Sequence, residues 1–267
     1  MKLGVAYNIF DGEEMLPFSI NNLRPMVDFI CIVYQNKSNF GNENPKLFRK
    51  IKELYNSGLV DSIYHYEPKF EYDENNKISI ENGLNNELEK RNIGLNICRE
   101  WGCDTFMTID CDELYDPIQF NWAKEDFEKG GYDTSFSLMR TYYKFPTIEL
   151  YPPEKYYVPL FYKIHKDTQF SFSFVKPYPV EIDPTRRVKA GYSRIYSREE
   201  IEMHHYAYVR KKLLSKVMNS SSQMSDELKE KVCNHFNEWK SVEQNALFIG
   251  NTEHTLREVE NKFNIQI

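Results

Sequence analysis

The sequence predicts an α/β protein with a mostly parallel central sheet flanked by helices. In the first half of the chain, short apolar runs typical of buried strands alternate with segments whose apolar residues recur at helical spacing. Strands that are separated by helices imply parallel pairing through right-handed crossovers. The predicted elements of this half are a strand over 3–7, a helix over 13–23, a strand over 29–34, a helix after Pro45, a strand over 62–66, a helix that ends near Gly102, and a strand over 105–109.

The helices of this half are predicted from their apolar spacing and their end signals. Leu16 and Ile20 fall on one face of the first helix. Asn44 is a predicted N-cap with Pro45 at the first helical position, an arrangement typical of helix starts. Gly102 follows the third helix as a stop signal.

After Pro117 the regular alternation is lost. We predict helices over 119–129, 226–239 and 256–263, and strands over 134–143, 156–165 and 169–175. The last two helices lead us to expect a C-terminal helical extension over 223–267 that packs on a larger domain over 1–222.

Composition narrows the class of protein. The chain has 267 residues, with 41% hydrophobic and 15% aromatic residues, which is ample for a packed core. Its net charge of −6 argues against a dedicated duplex-DNA binder. The five cysteines form no Cys-x-x-Cys pair and are expected to be buried free thiols. Neither a signal peptide nor a transmembrane segment is predicted. We expect a cytoplasmic protein, peripheral to a membrane at most, or in the host cytoplasm if it is phage-encoded.

The most informative stretch is 105–113, where a buried strand ends in three acids. Asp110 and Asp112 lie on either side of Cys111, so their carboxylates are predicted to project the same way. Converging carboxylates repel each other unless a cation lies between them or one is protonated. Hard oxygen ligands suit Mg²⁺ or Mn²⁺, which commonly carry phosphate. The alternative is an acidic turn, but parallel sheets bind ligands at this edge, which favours the metal.

Several common site motifs are missing from the sequence. It has no Gly-x-Gly-x-x-Gly after the first strand, no phosphate-loop motif and no Gly-x-Ser-x-Gly elbow. Among the remaining candidates, Arg91 is either a phosphate clamp or part of a solvated helix face. His204 and His205 either complete a metal site or are partly buried, hydrogen-bonded histidines. The sequence therefore predicts an α/β domain that holds an anionic ligand through a divalent metal.

These residues together resemble the GT-A glycosyltransferases, specifically those similar to glycosyltransferase family 2. The resemblance covers roughly residues 1–222 and rests on the order of several motifs. The motifs are Tyr7-Asn8 with the turn Asp11-Gly12-Glu13-Glu14, then Gln35-Asn36-Lys37-Ser38-Asn39-Phe40-Gly41, Lys90-Arg91-Asn92-Ile93-Gly94-Leu95, Asp110-Cys111-Asp112-Glu113 at the family's Asp-x-Asp position, and His204-His205-Tyr206-x-Tyr208-Val209-Arg210-Lys211.

The resemblance implies a GT-A type, Rossmann-like fold and transfer of a sugar from a nucleotide-sugar donor, expected to be UDP-linked, to an acceptor hydroxyl. Mn²⁺ or Mg²⁺ is the implied cofactor. Asp112 would bind the metal directly, Asp110 would contact the metal or the donor ribose, and His204 or His205 would be the third ligand. The implied donor-binding residues are Tyr7, Asn8, Asp11, Gln35, Ser38, Arg91 and Asp110.

Inverting members of the family also need a carboxylate base to deprotonate the acceptor. Asp183 is the first candidate and Glu181 the second, and retaining chemistry remains open. The acceptor-binding region is expected over about 134–200. The acceptor itself is a surface glycan, a lipid-linked precursor, a protein or a hydroxylated base in phage DNA. Recognition of the last would use basic residues such as Arg186-Arg187 or those from Arg210 to Lys216.

Two other functions are compatible with the same acids. A nucleotidyltransferase acting on a sugar phosphate also uses paired carboxylates, but it releases pyrophosphate rather than a nucleoside diphosphate. A non-catalytic glycan- or nucleotide-binding module would use the acids to hold a structural cation.

Overall fold

The computed structural model describes residues 1–72, 77–174, 178–189, 191–211, 213–219, 226–242, 247–249 and 252–267. Its strands are β1 Leu3–Ile9, β2 Phe29–Tyr34, β3 Ser62–His65, β4 Thr105–Ile109, β5 Glu113–Tyr115, β6 Thr134–Tyr143, β7 Phe145–Tyr151, β8 Tyr157–Lys163, β9 Ser193–Ile195, β10 Glu202–Tyr208, β11 Leu247–Ile249 and β12 Thr252–Glu258. Its helices are α1 Leu16–Leu23, α2 Leu47–Asn56, α3 Ile80–Glu100, α4 Pro117–Gly130, α5 Leu213–Asn219 and α6 Asp226–Glu238.

The strands form one sheet in the order β11-β12-β7-β6-β8-β4-β1-β2-β3. Strands β3, β2, β1 and β4 pair in parallel, as predicted. From β4 outward, β8, β6, β7 and β12 pair antiparallel. The short strand β9 and strand β10 pair in parallel with β6, and β10 also pairs with β5. The prediction of a mostly parallel central sheet flanked by helices is confirmed for the half that carries the acid cluster.

Strand β1 lies between two hydrophobic layers. Val5 and Tyr7 pack in the cluster that contains residues of α1, α2 and α4, whereas Ala6 packs with Leu95 and Cys98 of α3. Every residue of β1 is buried because both faces of the strand are covered. The five cysteines are also buried and free, as predicted.

The carboxyl ends of β1 and β4 lie side by side and define the site. Tyr7 of β1 is in register with Ile109 of β4, so Asn8 and Asp110 follow at the same edge of the sheet. Strand β5 then pairs with β10, which places His205 opposite Glu113. Residues from three distant parts of the chain therefore meet at one rim.

Helices α1 and α2 begin later than predicted, at Leu16 and Leu47. Asn44 is not the N-cap of α2. Its side-chain amide donates to the Phe10 carbonyl at 2.9 Å and to a Glu13 carboxylate oxygen at 3.2 Å. Asn44 thus joins the turn after β1 to the segment before α2, and its Oδ1 accepts from the Lys46 N–H at 3.3 Å, one residue before the helix begins.

The strand predicted over 169–175 is wrong for residues 169–174, which the structure describes as irregular. The Phe170 N–H donates to the Asn92 side chain at 2.8 Å, and the Asn92 amide donates to the Phe170 carbonyl at 3.0 Å. The Asn92 side chain therefore pairs with the backbone N–H and carbonyl of Phe170. In a strand, a neighbouring strand would pair with these groups.

The helix predicted over 256–263 is also wrong, because 256–258 are the last three residues of β12 and 259–263 are irregular. Leu256 lies opposite Leu150 of β7 in an antiparallel pair. The free edge of β7 supplies pairing partners that no local sequence pattern reveals. The C-terminal segment thus combines α6 with strands, and the boundary predicted at residue 222 lies outside the described residues. Where the chain is described, no helix is long and apolar enough to cross a membrane.

Gly94 allows α3 to pack closely on β1. A Cβ atom at this position would lie 2.5 Å from the Ala6 Cβ. We expect Gly94→Ala to lower the free energy of unfolding by about 1–3 kcal/mol, because overpacking outweighs the better helix propensity of alanine. Urea denaturation measures the change. Asn85→Ala, on an exposed position of the same helix, is the matched control and should shift stability by less than about 0.5 kcal/mol. Unchanged stability of Gly94→Ala would contradict the tight helix–strand contact.

Candidate active site

A cavity of about 460 Å³ opens where β1 and β4 end. This volume lies within the range of small-molecule sites. Residues predicted as site residues that line it are Asn8, Asp11, Arg91, Asp110, Asp112 and Asp183. The cavity therefore brings together residues from β1, α3, the acid cluster and the turn before β9.

Asp112 is the fully buried member of the acid cluster. Its Oδ2 accepts hydrogen bonds from Arg210 Nη2 at 2.7 Å and from Lys216 Nζ at 3.2 Å. Burial raises the pKa of this carboxyl, but Lys216, Arg210 and His205 outweigh the burial and hold its pKa well below the usual range. Its Oδ1 has no hydrogen-bond partner within the described part of the chain and lies 3.8 Å from His205 Nε2.

Asp110 and Glu113 share the guanidinium of Arg186. Arg186 Nη2 lies 2.8 Å from Asp110 Oδ2 and 2.8 Å from Glu113 Oε1. For Asp110, burial raises the pKa, but Arg186 and Arg91 outweigh it and hold the pKa below its usual value. For Glu113, burial raises the pKa to about 7 although Arg186 opposes the shift. The three acids thus lie together because cations separate their charges.

Arg91 is a buried side chain of α3, not part of a solvated face. It donates to Thr108 Oγ1 at 2.8 Å and to Thr185 Oγ1 at 3.1 Å. Its Nη2 lies 3.9 Å from Asp110 Oδ1 and 3.8 Å from Asp183 Oδ2. Arg91 therefore connects the acid cluster with the turn that carries Asp183.

The structure distinguishes the two histidines. Successive residues of β10 point to opposite faces. His204 Nδ1 shares a hydrogen bond of 2.8 Å with the Tyr142 hydroxyl, and its ring packs against Phe263, away from the cavity. His205 points toward Asp112, which lines the cavity, although His205 itself does not line it. Burial lowers the pKa of His205, which favours the neutral imidazole that a metal ligand requires.

Three residues predicted to bind the donor do not line the cavity: Tyr7, Gln35 and Ser38. The Tyr7 hydroxyl is buried 3.0 Å from Ser19 Oγ. Gln35 is buried and donates to Asn39 Oδ1 at 3.0 Å. Ser38 Oγ accepts from two backbone N–H groups of its own loop. Tyr7 points into the core because of the pleating of β1. Gln35 and Ser38 are turned away from the rim by their hydrogen bonds within the loop after β2.

Asp183 lies at the cavity, whereas Glu181 is exposed to solvent outside it. Asp183 Oδ1 accepts from the Thr185 N–H and from Thr185 Oγ1, both at 2.8 Å. Its Oδ2 lies 3.8 Å from Arg91 and 3.8 Å from Arg186. One oxygen of Asp183 is thus fixed by the turn, and the other remains available to a ligand.

Sequence reasoning missed the roles of Arg186, Arg210 and Lys216. From the sequence alone, these basic residues were considered as part of a nucleic-acid-binding surface. In the structure Arg186 is only 5% exposed and Arg210 only 6%, and both form ion pairs with the acid cluster. They do not form an exposed basic patch, and Lys212 lies outside the described residues. The signal available in the sequence was the excess of acids at one rim, which requires cations from elsewhere.

The site offers few protein side chains that could bind a metal ion. In the described residues, no group of three or more His, Cys, Asp or Glu side chains is arranged to hold a metal ion. Asp110 and His204 have other partners. Of the predicted metal ligands, Asp112 Oδ1 and His205 Nε2 face each other. Because Asp112 Oδ1 is buried and has no hydrogen-bond partner within the described residues, it is suited to bind a cation.

No protein-family model matches this sequence, and no curated protein matches it. The solved structures to which this chain is similar include GT-A glycosyltransferases. Staphylococcus aureus TarS 1-349 in complex with UDP-GlcNAc shares 10% identity over 89% of this chain and 72% of that chain, with a TM-score of 0.47. GalNAc-T7 with UDP, GalNAc and Mn²⁺ shares 13% identity over 53% of this chain and 23% of that chain, with a TM-score of 0.38.

A third similar structure is glucosyl-3-phosphoglycerate synthase from Mycobacterium tuberculosis in complex with Mn²⁺, UDP and phosphoglyceric acid. It shares 12% identity over 52% of this chain and 43% of that chain, with a TM-score of 0.32. Similarity at this level does not establish a shared function, so function has to follow from the residues at the cavity.

The buried His204 makes stability depend on pH. Burial, with help from Lys262 and Arg140, lowers its pKa from 6.5 to about 3. Below the unfolded-state pKa, the unfolded chain binds a proton that the folded protein does not, so stability falls as pH decreases, by roughly 1.4 kcal/mol per pH unit. We expect wild type to lose about 2 kcal/mol more than His204→Gln between about pH 7 and about pH 5 in urea unfolding. Parallel losses in both proteins would contradict a neutral, buried His204.

Proposed function

We propose that this protein is a metal-dependent glycosyltransferase that moves a sugar from a UDP-linked donor to an acceptor hydroxyl. The observation that supports it most is the arrangement around Asp112. A buried carboxylate at the ligand edge of a parallel sheet has one oxygen bound by two cations and the other facing an imidazole 3.8 Å away. A site of this kind is suited to a ligand that carries both negative charge and a metal.

Asp112 and His205 are the residues that would hold Mn²⁺ or Mg²⁺. Two protein ligands are enough for a metal of this class, because such ions complete their coordination with waters and substrate phosphates. When bound, the metal neutralises negative charge that develops on a diphosphate leaving group. Asp110 is assigned to the donor ribose rather than to the metal, because Arg186 already occupies its Oδ2 at 2.8 Å.

The donor is assigned to the part of the cavity between β1 and α3. Asn8 is one wall residue, and its Oδ1 is buried without a partner within the described residues. Asp11 has a similarly unpartnered Oδ2. Arg91 is the neighbour of Asn8, because both side chains donate to Thr108 Oγ1. Together these groups offer acceptors to ribose or base N–H and O–H groups and a cation to the phosphates.

Asp183 is assigned as the base. In the step we propose, the acceptor oxygen forms a bond to the anomeric carbon of the sugar while the bond from that carbon to the diphosphate breaks. The acceptor hydroxyl proton passes to Asp183 Oδ2, and the bonding electron pair leaves with the diphosphate. This single displacement inverts the anomeric centre.

A glycan acceptor is favoured over a base in DNA. A flipped base needs an exposed basic surface that holds the flanking backbone. Arg186 and Arg210 are buried against Asp110, Glu113 and Asp112 and cannot provide it. We assign the acceptor side to about 134–200, where Tyr156 lines the cavity near Asp183, within a catalytic unit of residues 1–222.

Removal of the imidazole tests the metal assignment. We expect UDP to raise the melting temperature of wild type in Mn²⁺ and much less in chelator, because a ligand that binds only the folded state stabilises it. His205→Ala should lose most of this metal-dependent shift. His165→Ala removes a half-exposed histidine outside the cavity and is the matched control, which should behave as wild type.

Assays of the released product separate the alternatives. One set offers the protein nucleotide sugars with acceptors, and the other offers nucleoside triphosphates with a sugar phosphate. Transfer that releases UDP supports the proposal. Release of pyrophosphate would instead identify a nucleotidyltransferase, and binding without turnover on any acceptor would identify a binding module. A shift that is equal in Mn²⁺ and in chelator would remove the metal from the proposal.

The base assignment is tested by a pair of neighbouring acids. Asp183→Asn should lower kcat at least about a hundredfold while it leaves the Kd for UDP within about twofold, because the base acts on the acceptor and not on the nucleotide. Glu181→Gln, an exposed acid two residues away, should keep wild-type kcat. Wild-type kcat in Asp183→Asn would exclude it as the base.

A further inference from the structure

Lys216 is a cation of the cavity whose hydrogen-bonding capacity is partly unused. An ammonium group has three N–H donors. Within the described residues, the acceptor of Lys216 Nζ is Asp112 Oδ2, at 3.2 Å. Of the other two cations that line the cavity, Arg91 is buried and binds Thr108 and Thr185, and Lys90 is buried and binds Glu87 at 3.0 Å.

Asp112 has a second counter-ion besides Lys216. Arg210 Nη2 contacts the same oxygen at the shorter distance of 2.7 Å. Arg210 is fixed by a bond to the Ala207 carbonyl at 3.0 Å and by Asp11 Oδ1 at 3.3 Å. The buried acid therefore keeps one cation in contact when Lys216 binds another anion.

Lys216 is also placed to reach a ligand. It is on α5 at the cavity, and its side chain is 28% exposed, whereas the side chain of Arg210 is almost fully buried and does not line the cavity. Asn219, one turn later on α5, also lines the cavity and accepts a hydrogen bond of 2.8 Å from Asn42 in the loop after β2. This bond ties α5 to the loop after β2 and so helps to hold Lys216 at the cavity.

We propose that Lys216 binds the diphosphate of the donor and stabilises the charge of the leaving nucleoside diphosphate. A lysine ammonium is a point charge well suited to phosphate oxygens. When the diphosphate is present, the ammonium exchanges its contact with Asp112 for phosphate oxygens, and Asp112 keeps Arg210 as its partner. The inference rests on the proposed function, because it assigns a residue to the leaving group of that reaction.

The test compares UDP, uridine and inorganic pyrophosphate as probes in calorimetric titrations with and without Mn²⁺. Lys216→Met should weaken UDP binding at least about tenfold and leave uridine binding unchanged, because the lost bonds go to phosphate. Lys216→Arg should keep most of the UDP affinity because it keeps the charge. Lys211→Met, an exposed lysine that does not line the cavity, removes the same charge and should bind UDP as wild type does.

The outcomes separate this inference from the function it rests on. If wild type binds UDP and Lys216→Met binds it equally well at an unchanged melting temperature, the role of Lys216 is wrong and the proposed function stands. If wild type binds no nucleoside diphosphate but binds pyrophosphate through Lys216, the proposed function is wrong and the anion site stands. Binding of neither probe overturns both. Equal weakening of UDP and uridine binding would also overturn the role, since it would show a general distortion of the site.

Discussion

Repulsion among the carboxylates that follow β4 is the constraint on which the rest of the site depends. Asp110, Asp112 and Glu113 are close in sequence, and Asp112 and Glu113 are almost fully buried. Like charges in a medium of low dielectric constant cannot be held together without counter-ions. Arg186 and Arg210 supply them at distances of 2.7 to 2.8 Å. Breaking such a buried pair typically costs about 3–5 kcal/mol because it leaves an uncompensated charge.

These two arginines explain why the second half of the chain has to fold over the first. Arg186 lies 76 residues after Asp110, and Arg210 lies 98 residues after Asp112. The turn before β9 and the end of β10 are therefore held at the carboxyl ends of β1 and β4. The same ion pairs bring Asp183 and the helix that carries Lys216 to the cavity. Stability and site assembly thus share one set of interactions.

The first half of the fold could be predicted from sequence because its signals are local. Strands β2 and β4 have the predicted bounds, since continuous apolar runs indicate buried parallel strands. The acid cluster was also evident, because three acids directly follow a buried strand. What failed depends on contacts between distant residues. Strand β12 forms on the free edge of β7, and the backbone of Phe170 is satisfied by Asn92, neither of which leaves a periodic pattern.

Side-chain direction limited the prediction of the site in the same way. Residues at the rim were identified, but Tyr7 points into the core and Ser38 bonds its own loop. To decide which of His204 and His205 faces Asp112, one needs the register of β10 against β5, which is a property of the tertiary structure. Arg186 and Arg210 appeared in the sequence as positive charges without partners. Only the geometry shows that they neutralise acids instead of contacting a polyanion.

The arrangement of charges also separates structural cations from a cation available to a ligand. Arg186 and Arg210 are buried and form ion pairs with three and two acids respectively, so they cannot move without leaving carboxylates unpaired. Lys216 shares Asp112 Oδ2 with Arg210 and is partly exposed, so Asp112 keeps one cation when Lys216 exchanges that contact for an anion. Charges that the fold already holds in place stabilise developing charge without the reorganisation that water requires. A buried acid cluster with one spare cation is therefore a site in which a leaving anion can be stabilised while the fold itself stays unchanged.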